Sequence, residues 1–280
     1  MRRSRQIHLC GLCLILLALT GCGDSEESVL PLKAEERFKL GMAKFDNGDY
    51  VEALEDFKIV TLQFQGTKFA DQAQFYMGEC HYLREEFVLA AYEYDLLIRT
   101  MPSSSLIIRA RYRRAMCYYN LSPNPYLDQD YTRKAIDEFQ AFIEYSPTDS
   151  LVPTAELKIA ELNEKLATKE YLNGMTYMHQ EYYKAAISCF EYVIDKYHDT
   201  PVAEQAHFMR AQALYLRKKY RDAQTEIEDY LRRYPNSERA GDAQRLKANI
   251  LDKILEMQKE NPGGTQSRQN ASQTIPQRMP

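Results

Sequence analysis

The chain has 280 residues with 36 basic and 40 acidic side chains, a formal net charge of −4, no tryptophan and 21 tyrosines. A nucleic-acid binder would show a basic excess, which argues against that class. The length suits one large domain or a repeat array.

In chain order, residues 2–6 (RRSRQ) carry three arginines, and the apolar run IHLCGLCLILLALTG follows from Ile7 to Gly21. This is the layout of a secretory signal, shorter than the roughly 20 residues of a spanning helix. The run ends Leu19-Thr20-Gly21-Cys22, which resembles a bacterial lipobox. That resemblance implies cleavage before Cys22, a diacylglyceryl group on its thiol and an acyl chain (typically palmitate) on the new amino terminus. Each buried methylene contributes ~0.8 kcal/mol, so three chains anchor almost permanently. Gly23 after the cysteine favours the outer membrane by the usual sorting rule. Residues 22–33 then read as a solvated leash. Loss of Arg2, Arg3 and Arg5 leaves 33 basic against 40 acidic residues, a net charge near −7.

Cys10 and Cys13 form a C-x-x-C inside the discarded signal, which removes a redox reading. Beyond the anchor only Cys80, Cys117 and Cys189 remain. Three thiols give no disulfide framework and are expected to be buried.

Five segments share one frame, an aromatic, two residues, alanine, three residues and a large apolar residue: DYVEALEDF, EFVLAAYEY, YTRKAIDEF, YYKAAISCF and KYRDAQTEI. Their alanines are Ala53, Ala90, Ala135, Ala186 and Ala223. Twelve residues later stand Gln65, Pro102, Pro147, His198 and Pro235. Twelve residues earlier stand Gly41, Gly78, Ala115, Gly174 and Ala211, after allowing eight extra loop residues in the third. Fifteen earlier, with the same allowance, all five positions are aromatic: Phe38, Phe75, Tyr112, Tyr171 and Phe208. The pattern resembles the tetratricopeptide repeat, in which the small residue lets two helices approach and the proline ends the second.

The expected fold is therefore all-α: a tetratricopeptide-repeat solenoid of five helix pairs, with repeats one to three in residues 34–150. Residues 151–258 hold the rest. The alanine spacings are 37, 45, 51 and 37. The loop NLSPNPYLDQD explains the 45. The 51 requires a long linking helix over Pro153–Glu181, roughly 28 residues and about 42 Å at 1.5 Å per residue. Repeats four and five follow. A helix from Ser237 to Lys259, with Ala243, Leu246, Ile250 and Ile254 on one stripe, caps the array. Residues 259–280 are rich in Pro, Gln and Ser and read as a disordered tail.

No metal motif, phosphate loop or nucleophile elbow is present, so the sequence points to a surface and not to an enzyme. In the repeat register one groove row reads Phe45, Tyr82, Tyr119, Met178 and Tyr215. A second reads Met42, Glu79, Met116, Met175 and Gln212. Aromatics and methionines make adaptable partner surface, though packing between repeats explains any one of them equally well. Small residues follow the second row (Ala43, Cys80, Cys117, Thr176, Ala213), which assigns both cysteines to packing. Arg109 and Arg113, four apart on one helical face, could hold a carboxylate. They resemble the basic positions of peptide-clamping tetratricopeptide domains, but Phe38, Met42 and Tyr76 replace that clamp's Lys and Asn. Arg217, Lys218, Lys219 and Arg221 form a basic turn, either an ordinary exposed turn or a docking edge for an acidic partner.

The lipobox, five pairs and long helix together resemble the BamD (YfiO) family of outer-membrane assembly lipoproteins. The best local matches are AIDEFQAFIEYSPTDS, LATKEYLNG and YYKAAISCFEYVIDKYHDTP. Ser146-Pro147 and Tyr197-His198 depart from the family's Y-P ends. The resemblance implies a non-catalytic subunit on the periplasmic face of the outer membrane, without a cofactor. It would bind the POTRA domains of a BamA-like barrel subunit through repeats four and five, beside other assembly-machine lipoproteins. It would receive unfolded outer-membrane proteins on repeats one to three. Two alternatives stay open: a tetratricopeptide lipoprotein coordinating cell-wall synthesis, and an anchored accessory subunit of an envelope enzyme.

Overall fold

The structure, a computed structural model, describes residues 32–260. Cys22, the signal segment and the residues beyond Glu260 lie outside the described residues. Eleven α-helices run in order among the described residues: α1 (Ala34–Asn47), α2 (Tyr50–Gln63), α3 (Lys68–Leu83), α4 (Phe87–Thr100), α5 (Ile107–Leu121), α6 (Asp130–Tyr145), α7 (Val152–His179), α8 (Tyr183–Lys196), α9 (Pro201–Leu216), α10 (Tyr220–Arg233) and α11 (Ala240–Glu260). They form five antiparallel pairs, with the second half of α7 serving as the first helix of repeat four.

The register derived from the alanines holds in every pair. Ala53, Ala90, Ala135, Ala186 and Ala223 are all fully buried. The apolar residue four positions on (Phe57, Tyr94, Phe139, Phe190, Ile227) is buried beside each. The aromatic of the first helix meets it: ring centroids lie 5.6 Å apart for Phe38–Phe57 and 5.5 Å for Phe75–Tyr94. They lie 6.0 Å apart for Tyr112–Phe139 and 5.7 Å for Tyr171–Phe190. In repeat five Ile227 offers no ring, and Phe208 turns to Tyr230 at 5.7 Å. Such pairs contribute about 0.5–1.5 kcal/mol beyond area burial. The glycines have a direct cause. A Cβ at Gly78 would stand 2.5 Å from the Tyr94 ring, and one at Gly174 2.6 Å from the Phe190 ring.

Within four repeats the helices are joined by one left-handed residue: Gly48 (φ 89°), Glu85 (φ 60°), Glu181 (φ 61°) and Lys218 (φ 63°). The following N–H reaches back five residues, as from Asp49 to Lys44 O at 2.9 Å and from Lys219 to Leu214 O at 2.9 Å. This is a Schellman closure. Between repeats, the residues twelve after the alanines sit just past each helix's last cap, where proline removes the next possible helical N–H.

The long helix spans 28 residues, with Pro153 in its first turn. Its first half supplies Ala155, Ile159, Leu162 and Leu166 to the core of repeat three. Its second half supplies Ala167, Tyr171, Met175 and Met178 to repeat four. The proline-rich loop lies against the middle of α7: Lys165 Nζ donates to Ser122 O at 3.2 Å, and Lys169 Nζ to Leu127 O at 2.9 Å. The two irregular spacings are thus one feature, since the longer loop covers a stretch of long helix on which no repeat stacks. The cap helix starts at Ala240, three residues later than expected, because Ser237 closes a turn whose Oγ accepts from Arg239 N at 3.0 Å. Ala243 and Ile250 are fully buried, and Leu246 and Ile254 pack beside them.

An ionic clasp ties the second repeat to the third and recurs between the fourth and fifth. Arg114 bridges Asp95 (2.6 Å) in the preceding repeat and Glu138 (2.5 Å) in its own. Arg210, at the equivalent position, bridges Glu191 (3.1 Å) and Glu226 (3.0 Å). Asn173 occupies this position in repeat four and Met77 in repeat two, so those joints lack the clasp.

Candidate functional site

The expected rows lie on the first helix of each repeat. Phe45 stands half-buried against Tyr76 at 5.1 Å and Tyr50 at 5.5 Å, with Met42 packed in the same cluster. Tyr82 packs edge-on against Phe87 at 5.3 Å and accepts a hydrogen bond from Asn120 Nδ2 at 2.8 Å. Met116 and Tyr119 are half-buried beside the core of repeat three. In the later repeats Met175, Met178 and Tyr215 pack onto the shared C-terminal core. These residues therefore pack and present surface at once.

The two arginines behave differently from each other. Both point toward α3. Arg113 forms a bidentate pair with Glu79, Nε to Oε1 being 2.6 Å, and its guanidinium lies 4.2 Å from the Tyr82 ring centre. Glu79 is buried and also accepts from Tyr94 Oη at 2.7 Å. Glu79 is thus an internal tie and not open groove surface, and Arg113 already holds a carboxylate. Burial and the Glu79 charge push the Tyr94 hydroxyl well above its ordinary pKa. Arg109 is exposed, its guanidinium 5.0 Å from the Phe75 ring centre. Of the pair, only Arg109 keeps its charge toward solvent.

The sequence rows missed the contribution of α7. Lys158 Nζ lies 4.4 Å from the Tyr119 ring centre and donates to Tyr119 Oη at 3.1 Å and Glu161 Oε2 at 3.0 Å. The Tyr119 hydroxyl and Lys158 hold the Glu161 carboxyl below its usual range. The first half of α7 thereby joins Tyr119 at the end of its row. The signal was present in the sequence: Ala155, Ile159, Leu162 and Leu166 make one stripe, with Lys158, Glu161 and Lys165 beside it on a neighbouring face.

Cys80 and Cys117 are fully buried and Cys189 nearly so. Burial pushes each thiol up to about 12, which leaves them inert as nucleophiles at neutral pH. Two of the small residues that follow the second row are exposed, Ala43 and Thr176. Ala43 has no preceding repeat, and Thr176 lies where α7 has outrun repeat three. Arg217, Lys218, Lys219 and Arg221 are exposed at the turn of repeat five. Among the described residues there is no group of side chains that could hold a metal ion, and no helix long and apolar enough to cross a membrane.

This combination, a stack of helix pairs with a fully buried alanine at the same place in each, defines a tetratricopeptide-repeat scaffold. A tetratricopeptide family model matches residues 205–237, the last pair. The YfiO model, described as an outer membrane lipoprotein, matches residues 32–211, and the chain belongs to that family. Similar proteins include "Outer membrane protein assembly factor BamD" of Rickettsia prowazekii, 29% identical over 86% of this chain and 96% of that protein. The Caulobacter vibrioides protein of the same name is 26% identical over 71% of this chain and 67% of its own length. Among solved structures, the TPR2AB domain of yeast Sti1 in its Hsp90 complex aligns with a TM-score of 0.41. It is 16% identical over 84% of this chain and 95% of that one.

Proposed function

We propose that the chain is a non-catalytic, lipid-anchored subunit of an outer-membrane β-barrel assembly machine, tethered through Cys22 on the periplasmic face. Membership of the YfiO family and its likeness to the BamD assembly factors support a role in outer-membrane protein assembly. Repeats one to three receive unfolded outer-membrane proteins, and repeats four and five dock the POTRA region of the barrel subunit.

The observation that carries the client assignment is the row of half-buried aromatic and methionine side chains along α1, α3 and α5, met by Lys158 of α7. Its charged groups are satisfied internally by Arg113–Glu79 and Lys158–Glu161. What remains for a client is half-exposed aromatic and methionine surface with Arg109 at its edge. Such a surface takes apolar side chains of varied shape without demanding one sequence, because methionine and tyrosine repack at small cost. Arg109 supplies a single charge for a chain's terminal carboxylate.

Purification of the anchored protein from its native membrane in mild detergent, with partners identified by mass spectrometry, tests this reading. A POTRA-bearing barrel protein in near-stoichiometric amount is expected. Recovery of cell-wall enzymes in its place would transfer the scaffold to envelope synthesis.

A further inference from the structure

Two residues before each signature alanine stand Val51, Val88, Arg133, Lys184 and Arg221, all exposed and all in the first turn of their repeat's second helix. They form one line along the turn edge of the solenoid. Its first two members are apolar, 49% and 56% exposed, and Leu83, Leu89 and Tyr92 extend that apolar end. Its last three are cations.

Helix stability does not explain those cations. The N-terminal turn of a helix favours acidic side chains, and a cation there costs about 0.3–1 kcal/mol. Arg133 offsets this through Asp130 at 2.6 Å. Lys184 and Arg221 have no carboxylate within ion-pair distance among the described residues, and neither have Arg217, Lys218 and Lys219. Only Glu181 and Asp222 lie nearby in sequence. A positive strip thus stands on a chain whose net charge is negative. Beside it, between the turns of repeats four and five, lies a shallow, open depression lined by Glu181, Tyr182, Tyr183, Lys184, Ser188 and Arg217. Tyr182 is 62% exposed at its rim.

We propose that this edge is a docking track for an extended acidic polypeptide segment of a partner, with carboxylates along Lys184, Arg217–Lys219 and Arg221 and one apolar side chain in the Tyr182 depression. An extended chain can follow such an edge and set a side chain in the depression. Anionic headgroups offer charge without an apolar side chain beside it for Tyr182. The inference deepens the assignment of repeats four and five as the docking half. The test below contains no barrel subunit, so its failure leaves the outcome of the partner purification untouched.

The probe is a short fluorescein-labelled peptide of Glu, Ser and Gly with one Phe, read by anisotropy against the detergent-solubilised full chain. Its glutamine counterpart and phosphatidylglycerol vesicles are the controls. The glutamate peptide is expected to bind in a salt-sensitive manner, and its counterpart not to. Lys184→Glu with Arg217→Glu should weaken it about tenfold or more, and Lys58→Glu, exposed on α2 of the first repeat, should leave it unchanged. Unaltered circular dichroism and melting of the double variant exclude unfolding. Equal binding of both peptides, insensitivity to the double variant, or loss confined to vesicle binding would overturn the proposal.

Discussion

Repeats one to three divide their interior among three clusters that each reach into the next helix: Phe57 with Ala73 and Cys80, Tyr94 with Ile107 and Cys117, and Phe139 with Ala155 and Leu162. Repeats four and five and the cap share one, running from Ala167 through Phe190 and Tyr230 to Ile250. In a solenoid each repeat is stabilised chiefly by its neighbours. The difference therefore separates a half whose core is divided into three from a half whose core is continuous. A groove for unfolded chains benefits from local give, and a docking platform from fixed shape. The long helix belongs to both cores and transmits position from one to the other.

The sharpest way to break this comparison is to truncate the matching ring in each half. Phe57→Ala and Phe190→Ala each remove a fully buried ring facing a glycine, a loss of about 3–5 kcal/mol. Hydrogen exchange should show deprotection confined to repeat one and α3 in the first variant and spread over repeats four, five and the cap in the second. Local loss in both would deny the C-terminal half its unity.

The clasps come next in size. Arg114→Met and Arg210→Met each strip two carboxylates of their shared cation, at about 2 kcal/mol. Arg114 is the less exposed, 14% against 24% for Arg210, so its urea midpoint should fall further. The reverse order would mean that the C-terminal joint depends more on charge than on its core.

Acid should act on repeat one through Asp56. Burial alone would raise the Asp56 carboxyl, but Lys44 at 2.7 Å and Arg37 at 2.9 Å outweigh it and hold it below the usual range. A carboxyl with a depressed folded pKa contributes stability above its unfolded value of ~3.9 and loses it as pH falls through the folded one. Exchange protection of α1 and α2 should drop below about pH 4, and Asp56→Asn should lower it at pH 7 and flatten that drop. The smallest effect is a gain: Glu181→Gly relieves a left-handed residue at φ 61° and should raise the unfolding free energy from urea titration by up to about 1 kcal/mol.

Much of this fold was legible because its period is dictated by contact. Alanine and glycine recur where helices touch, aromatics where rings meet, and proline where a helix must stop. The long helix was readable from the absence of breakers between Pro153 and Gln180. The groove was less legible. A row of aromatics shows which face points inward, but not that Glu79 and Arg113 neutralise each other across 34 residues of sequence. Nor does a repeat register reveal Lys158, which reaches Tyr119 only because α7 overruns its own repeat. The clasp arginines escaped for a related reason. Arg114 and Arg210 gain meaning only when acids from two different repeats converge on them.

The central claim is that one chain carries two separable surfaces, one for clients and one for the machine. The measurement that tests it most directly is a paired assay in native membranes on two exposed-site variants. One carries Arg109→Glu with Tyr82→Ala, the other Arg217→Glu, Lys218→Glu and Lys219→Glu. Site-specific crosslinking to a nascent outer-membrane protein and co-purification of the barrel subunit are read together. The account predicts that the first variant loses client crosslinks and keeps the barrel subunit, while the second does the opposite. Joint loss of both signals in either variant, with the fold intact, would contradict it.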